Sequence, residues 1–100
     1  MPVPIQTALA KLRENEAELQ SKGVRHAAVF GSTARGEAHA HSDIDILIEL
    51  DPARPIGLFE YSRLKLDIAD LFDGRADIVN RETLRPLLRD SILADAVNAF

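Results

Sequence analysis

The octapeptide DIDILIEL at residues 43–50 constrains the fold more than any other stretch. Its side chains alternate with a period of two, the spacing of a β-strand and not of a helix. Ile44, Ile46, Ile48 and Leu50 fall on one face, and Asp43, Asp45, Leu47 and Glu49 on the other. One face must therefore be buried against other elements. The other begins with two carboxylates, which a purely structural strand has no need of.

The remaining segments supply what covers that strand. Residues 4–22 carry Ile5, Ala8, Leu9, Leu12 and Leu19 at helical spacing, with Gly23 as the stop. VRHAAVF at 24–30 is a short apolar run closed by Gly31 and reads as a buried strand. A turn follows at 32–36, then the loop EAHAHS. Residues 57–73 form a second helix, with Leu58, Tyr61, Leu64, Ile68, Leu71 and Phe72 toward the core and Gly74 at its end. RADIVN at 75–80 is a third strand. Residues 82–100 read as a closing helix, kinked or started at Pro86. The expected fold is α/β: one domain over residues 1–100, with a three-stranded mixed sheet flanked by helices.

Composition removes several function classes. The chain of 100 residues is 46% hydrophobic and 28% charged, which suits a globular domain with a core. It has no cysteine, so disulfide frameworks and thiolate metal sites are excluded and a cytoplasmic location is expected. The start MPVPIQTALAKLREN lacks the pattern of a signal peptide, and no apolar run approaches a membrane span. A net charge of −4 gives no general reason to bind nucleic acid directly.

Asp43 and Asp45 lie on one face about 6–7 Å apart along the strand. Two such acids repel unless a cation lies between them, and hard carboxylate oxygens suit Mg²⁺, which completes its shell with water and substrate phosphate. Gly31-Ser32 ends the preceding strand. Glycine allows a close approach of the backbone, and the N–H groups of the turn with the Ser32 hydroxyl suit phosphate oxygens. The lysine-bearing P-loop pattern is absent. A metal-bridged triphosphate therefore fits better than a lysine-cradled one. His39 and His41 read as loop histidines and Tyr61 as a core residue. Arg35 is read either as a cation of the turn or as a surface partner of Glu37 or Asp43.

Gly31-Ser32, ten residues, then Asp43-Ile44-Asp45 resembles the motif of DNA polymerase β-like nucleotidyltransferases. The string GSTARGEAHAHSDIDILI is similar to the minimal nucleotidyltransferase (MNT) domains within that superfamily, and LFDGRADIVN resembles their third-strand segment. The resemblance implies that Asp43, Asp45 and Asp77 hold Mg²⁺ and form the catalytic triad. It implies that Gly31, Ser32 and Arg35 bind the phosphates of ATP. Asp77 would lie near the acceptor hydroxyl. The reaction would be in-line attack on the α-phosphate with release of pyrophosphate.

Little of the chain is left to recognise an acceptor, so a macromolecular acceptor is expected. MNT proteins are typically paired with a HEPN ribonuclease toxin. The implied role is that of an antitoxin that transfers AMP to a tyrosine of its HEPN partner. Two alternatives stand beside it: a silent antitoxin that acts by binding alone, and a nucleotidyltransferase for an aminoglycoside-like small molecule.

Overall fold

In a computed structural model, which describes residues 3–39 and 43–100, the order is helix, helix, strand, turn, strand, helix, strand, helix, strand. Helix α1 (Ile5–Glu14) presents Ala8, Leu9 and Leu12 to the core. The helix expected over 4–22 is divided at Asn15. Its N–H bonds Leu12 O, and its side-chain amide bonds Lys11 O at 2.8 Å. Asn15 thus satisfies last-turn carbonyls of α1 and lets α2 (Glu16–Ser21) start in a new direction, with Leu19 buried.

Strand β1 (Val24–Phe30) runs into a single helical turn, α3 (Gly31–Ala34). Strand β2 (Ile44–Leu50) returns antiparallel to β1, with Phe30 opposite Asp45 and Val29 opposite Ile46. Helix α4 (Leu58–Asp70) then crosses to β3 (Ala76–Asn80), which lies parallel to β2. The Glu60 carboxylate accepts from the Gly57 N–H at 3.3 Å and steadies the start of α4. Helix α5 (Pro86–Asp95) begins at its proline, whose missing N–H costs nothing in a first turn.

Among the described residues, the sheet has four strands in the order β3-β2-β1-β4, one more than the sequence pattern suggests. The closing segment over 82–100 is not one helix. Arg81–Thr83 forms a 3₁₀ turn capped by the Asn80 side chain, and the chain leaves α5 at Ala96 in extended conformation. Val97–Asn98 becomes β4 and pairs antiparallel with Val29 and Ala28. The cause is non-local. The edge of β1 away from β2 has backbone groups to satisfy. The Ala99 N–H answers Ala27 O at 2.8 Å, and Arg13 Nε donates to Ala99 O at 2.9 Å.

The β2 alternation sorts the molecule into two layers. Ile44, Ile46 and Ile48 join Val24, Ala27, Val29 and Ile78 beneath α1, α2 and α4. Fully burying each such aliphatic side chain contributes about 1.5–3 kcal/mol. On the opposite face a smaller cluster of Ala28, Phe30 and Leu47 packs with Val79 under α5, through Ile92 and Leu93. Leu64 and Ile68 of α4 reach the core as expected, but Leu58 does not: it is 78% exposed. The apolar stripe of α4 continues into its first turn, which runs past the elements that the helix covers. Among the described residues, no helix is long and apolar enough to cross a membrane.

Candidate active site

The site lies where the second face of the sheet runs out from under α5. Strand geometry places Asp45, Leu47 and Glu49 on that face of β2, with Asp43 immediately before the strand, and Asp77 and Val79 on the same face of β3. Asp45 and Asp77 are direct cross-strand partners in the parallel ladder. Adjacent strands lie about 4.8 Å apart, so the two carboxylates are neighbours. Asp43 precedes them by one strand period and is exposed, as is Asp77, while Asp45 is half-buried.

Burial pushes the Asp45 carboxyl above the ordinary range for an aspartate. The charges of Asp77 and Asp43 push it further, and only Arg35 pulls it back. The three acids therefore share one electrostatic neighbourhood. Among the described residues, no group of three or more acidic or histidine side chains already stands at metal-ligand geometry. The carboxylates form an open, mutually repelling set rather than a closed cage.

Gly31 faces this set. Its φ of +73° lies in the region that favours glycine. A Cβ added there would overlap Asp45 Oδ2 and come within 3.2 Å of Asp45 Cγ. Glycine thus lets β1 turn away directly above a carboxylate. The turn is then held by its own backbone: the Arg35 N–H bonds Gly31 O, and the Glu37 N–H bonds Ser32 O at 2.8 Å. Thr33 is buried and anchors the turn, while Ser32 is half-buried.

The Arg35 side chain leaves the turn in the other direction. Its guanidinium pairs with Glu37 at 3.1 Å and with Asp95 at the end of α5. Of the two surface partners expected, Glu37 is the one found, and Asp95 joins it. No local pattern marks Asp95, because only the folded chain brings α5 beside the turn. Arg35 remains near enough for its field to reach Asp45. His39 is exposed, and His41 lies outside the described residues. Tyr61 is half-buried, and burial raises its hydroxyl pKa.

Residues 9–98 match the profile of the Nucleotidyltransferase domain family. The chain belongs to this family. The domain is 32% identical over 87 residues to the protein adenylyltransferase MntA of Thermococcus cleftensis, covering 86% of each chain. It is 38% identical over 82 residues to a Methanocaldococcus jannaschii protein whose name makes it a candidate protein adenylyltransferase; 82% of this chain and 86% of that one are covered. A solved structure described as a candidate minimal nucleotidyltransferase superposes with a TM-score of 0.76 at 35% identity, over 95% of both chains. The nucleotidyltransferase fold expected from the Gly-Ser and Asp-x-Asp motifs is the fold observed, with one further strand.

Proposed function

We propose that the chain is the antitoxin of a HEPN/MNT pair and a protein adenylyltransferase, transferring AMP from ATP to a tyrosine of its cognate HEPN toxin. The observation that carries this reading is the placement of Asp45 against Asp77 beneath Gly31. A half-buried carboxylate crowded by two others is an incomplete arrangement for a protein alone. It suits a divalent cation.

Mg²⁺ fits the residues present. Asp43, Asp45 and Asp77 offer hard oxygen donors; burial first, and then the charges of Asp77 and Asp43, raise the Asp45 pKa, and a cation would relieve the crowding of charge. When bound, Mg²⁺ supplies charge neutralisation at the phosphates and a template for in-line displacement. The protein supplies the rest. The absent Gly31 side chain lets the Asp45 carboxylate lie directly against the turn, and the turn with the Ser32 hydroxyl receives the phosphate oxygens of ATP. Asp77 accepts the proton of the acceptor hydroxyl. The acceptor oxygen bonds to the α-phosphorus, the bond from that phosphorus to the bridging oxygen of the β-phosphate breaks, and pyrophosphate leaves. Arg35, paired with Glu37 and Asp95, steadies the turn and adds positive potential from outside the triad.

The adenylyl-transfer reading has support from the relative whose name is protein adenylyltransferase MntA. The same fold also occurs in a crystal structure of a toxin–antitoxin with AMP-PNP, matched with a TM-score of 0.67 at 20% identity. Incubation with labelled ATP, Mg²⁺ and the cognate HEPN protein tests the proposal. Label on a toxin tyrosine is expected. Tight binding without label would instead make the chain a silent antitoxin. Label on an aminoglycoside-like compound, with no toxin binding, would make it a small-molecule enzyme. Mg²⁺ with ATP should also stabilise the fold by about 2.7 kcal/mol at a hundredfold excess over Kd, and so raise Tm. An unchanged Tm at millimolar ligand would count against the nucleotide site.

A further inference from the structure

Strand β3 is an open edge of the sheet, and the groove beside it leads to Asp77. Among the described residues, the sheet order places β2 on one side of β3 and no strand on the other. The groove, about 460 Å³, is formed by Ser62, Lys65, Leu66 and Ala69 of α4 and by Ala76, Asp77 and Ile78 of β3. Leu66 is 62% exposed there, a large apolar side chain facing solvent.

The ladder fixes which backbone groups of β3 are available. The Ile44 N–H bonds Arg75 O, and in a parallel pair the residues whose groups face the neighbour alternate. Residues 75, 77 and 79 therefore address β2. Ala76 and Ile78 turn their N–H and C=O groups outward. A strand added at this edge would pair with those groups.

We propose that this edge receives the acceptor itself, as an extended hydroxyl-bearing segment of the protein substrate that adds a fifth strand. This rests on the adenylyl-transfer reading above and specifies how the acceptor is held. Cross-strand partners project to the same face. The residue opposite Asp77 therefore points to the face that carries Asp43 and Asp45 and brings its hydroxyl beside the Asp77 carboxylate. The residues before and after it point the other way, into the groove against Leu66 and Ala69. The geometry thus selects an apolar–hydroxyl–apolar pattern, recognised through backbone pairing and alternate pockets.

A test can leave the protein untouched. Peptides spanning the acceptor tyrosine of the cognate toxin would be N-methylated at one amide at a time and assayed for AMP transfer. One alternate set of amides should be sensitive, with KM raised at least about tenfold, and the other set tolerant. Sensitivity at the tyrosine's own amide means parallel pairing; sensitivity at the amides of its two neighbours means antiparallel pairing. Leu66→Asp should raise KM for the peptide with kcat and the ATP-induced Tm shift unchanged, and Leu66→Met should restore KM. An even response along the peptide overturns the proposal. So does self-association of the chain through this edge that Leu66→Asp abolishes, because a second copy would then be the occupant. If no acceptor is labelled and ATP gives no Tm shift, the transferase reading itself fails. An intact shift and transfer without alternation sinks only the groove.

Discussion

The two ends of one face of β2 carry acids under opposite conditions. At one end Asp45 is crowded by Asp77 and Asp43, and its carboxyl is held above the ordinary range. At the other, Glu49 lies between two basic groups: Arg81 NH1 at 3.7 Å and His26 Nε2 at 3.6 Å. Between them Leu47 is buried under α5 and keeps the two ends apart. Negative charge is balanced internally at the Glu49 end and left in surplus at the Asp45 end. That difference supports the proposed placement of chemistry at the Asp45 end of the strand. A folded chain tolerates uncompensated charge where a ligand will supply the balance.

The contrast can be broken most severely at its acidic end. Asp43→Asn with Asp45→Asn should reduce AMP transfer by at least about a hundredfold, since even supporting residues of metal sites cost 10–100-fold. The same double variant should melt no lower than the parent without metal, because repulsion is relieved. Normal transfer by this variant would refute the assignment of the site.

Gly31→Ala comes next. The added Cβ meets Asp45 Oδ2 at a φ of +73°, so a loss of about 1–3 kcal/mol is expected by chemical denaturation, with reduced ATP binding. An unchanged midpoint and unchanged ATP affinity would show that the turn has another way to clear the carboxylate.

A smaller effect should be visible in the pH dependence of Tm. The raised Asp45 pKa means that the folded state holds a proton more tightly than the unfolded state does. Its contribution is thus lost as pH rises from the ordinary carboxylate value through the folded one. Asp45→Asn should therefore stabilise more at pH 7 than at pH 3 in metal-free buffer. A constant difference across that range would remove the electrostatic half of the comparison.

The smallest effect belongs to a carboxylate shifted the other way. Hydrogen bonding from Lys22, at 3.1 Å, holds Asp67 below the ordinary range, with further help from Arg63. Its stabilisation is present above the unfolded pKa and fades as pH falls through the folded one. Asp67→Asn should lower Tm only slightly at neutral pH, less so in high salt, and leave transfer unchanged. A transfer defect in this variant would show that acids outside the triad also matter to the reaction.

The parts legible in the sequence are those written in local periodicity. The alternation over 43–50 placed Asp45 and Leu47 on one face and the three isoleucines on the other, as the two apolar clusters show. Gly31 marked the close of β1, and of the two readings of Pro86, kink or start, the structure takes the start. Features that depend on a distant partner were not legible. Val97–Asn98 has a helical context but a strand's conformation, because β1 offers it an edge. Arg35 finds Asp95 only once α5 has docked. Leu58 continues a correct stripe beyond the point where anything lies beneath it. Asp77 was named through family resemblance, and its register against Asp45 required the folded β2–α4–β3 crossover.

That crossover has a consequence for how the protein acquires its chemistry during folding. Neither β2 nor β3 alone brings two of the acids from different strands together. The pair exists only after α4 has carried the chain back across the sheet and the parallel edge has zipped, a slow class of event for a small domain. Competence for the proposed transfer should therefore appear in refolding only once β3 has paired with β2.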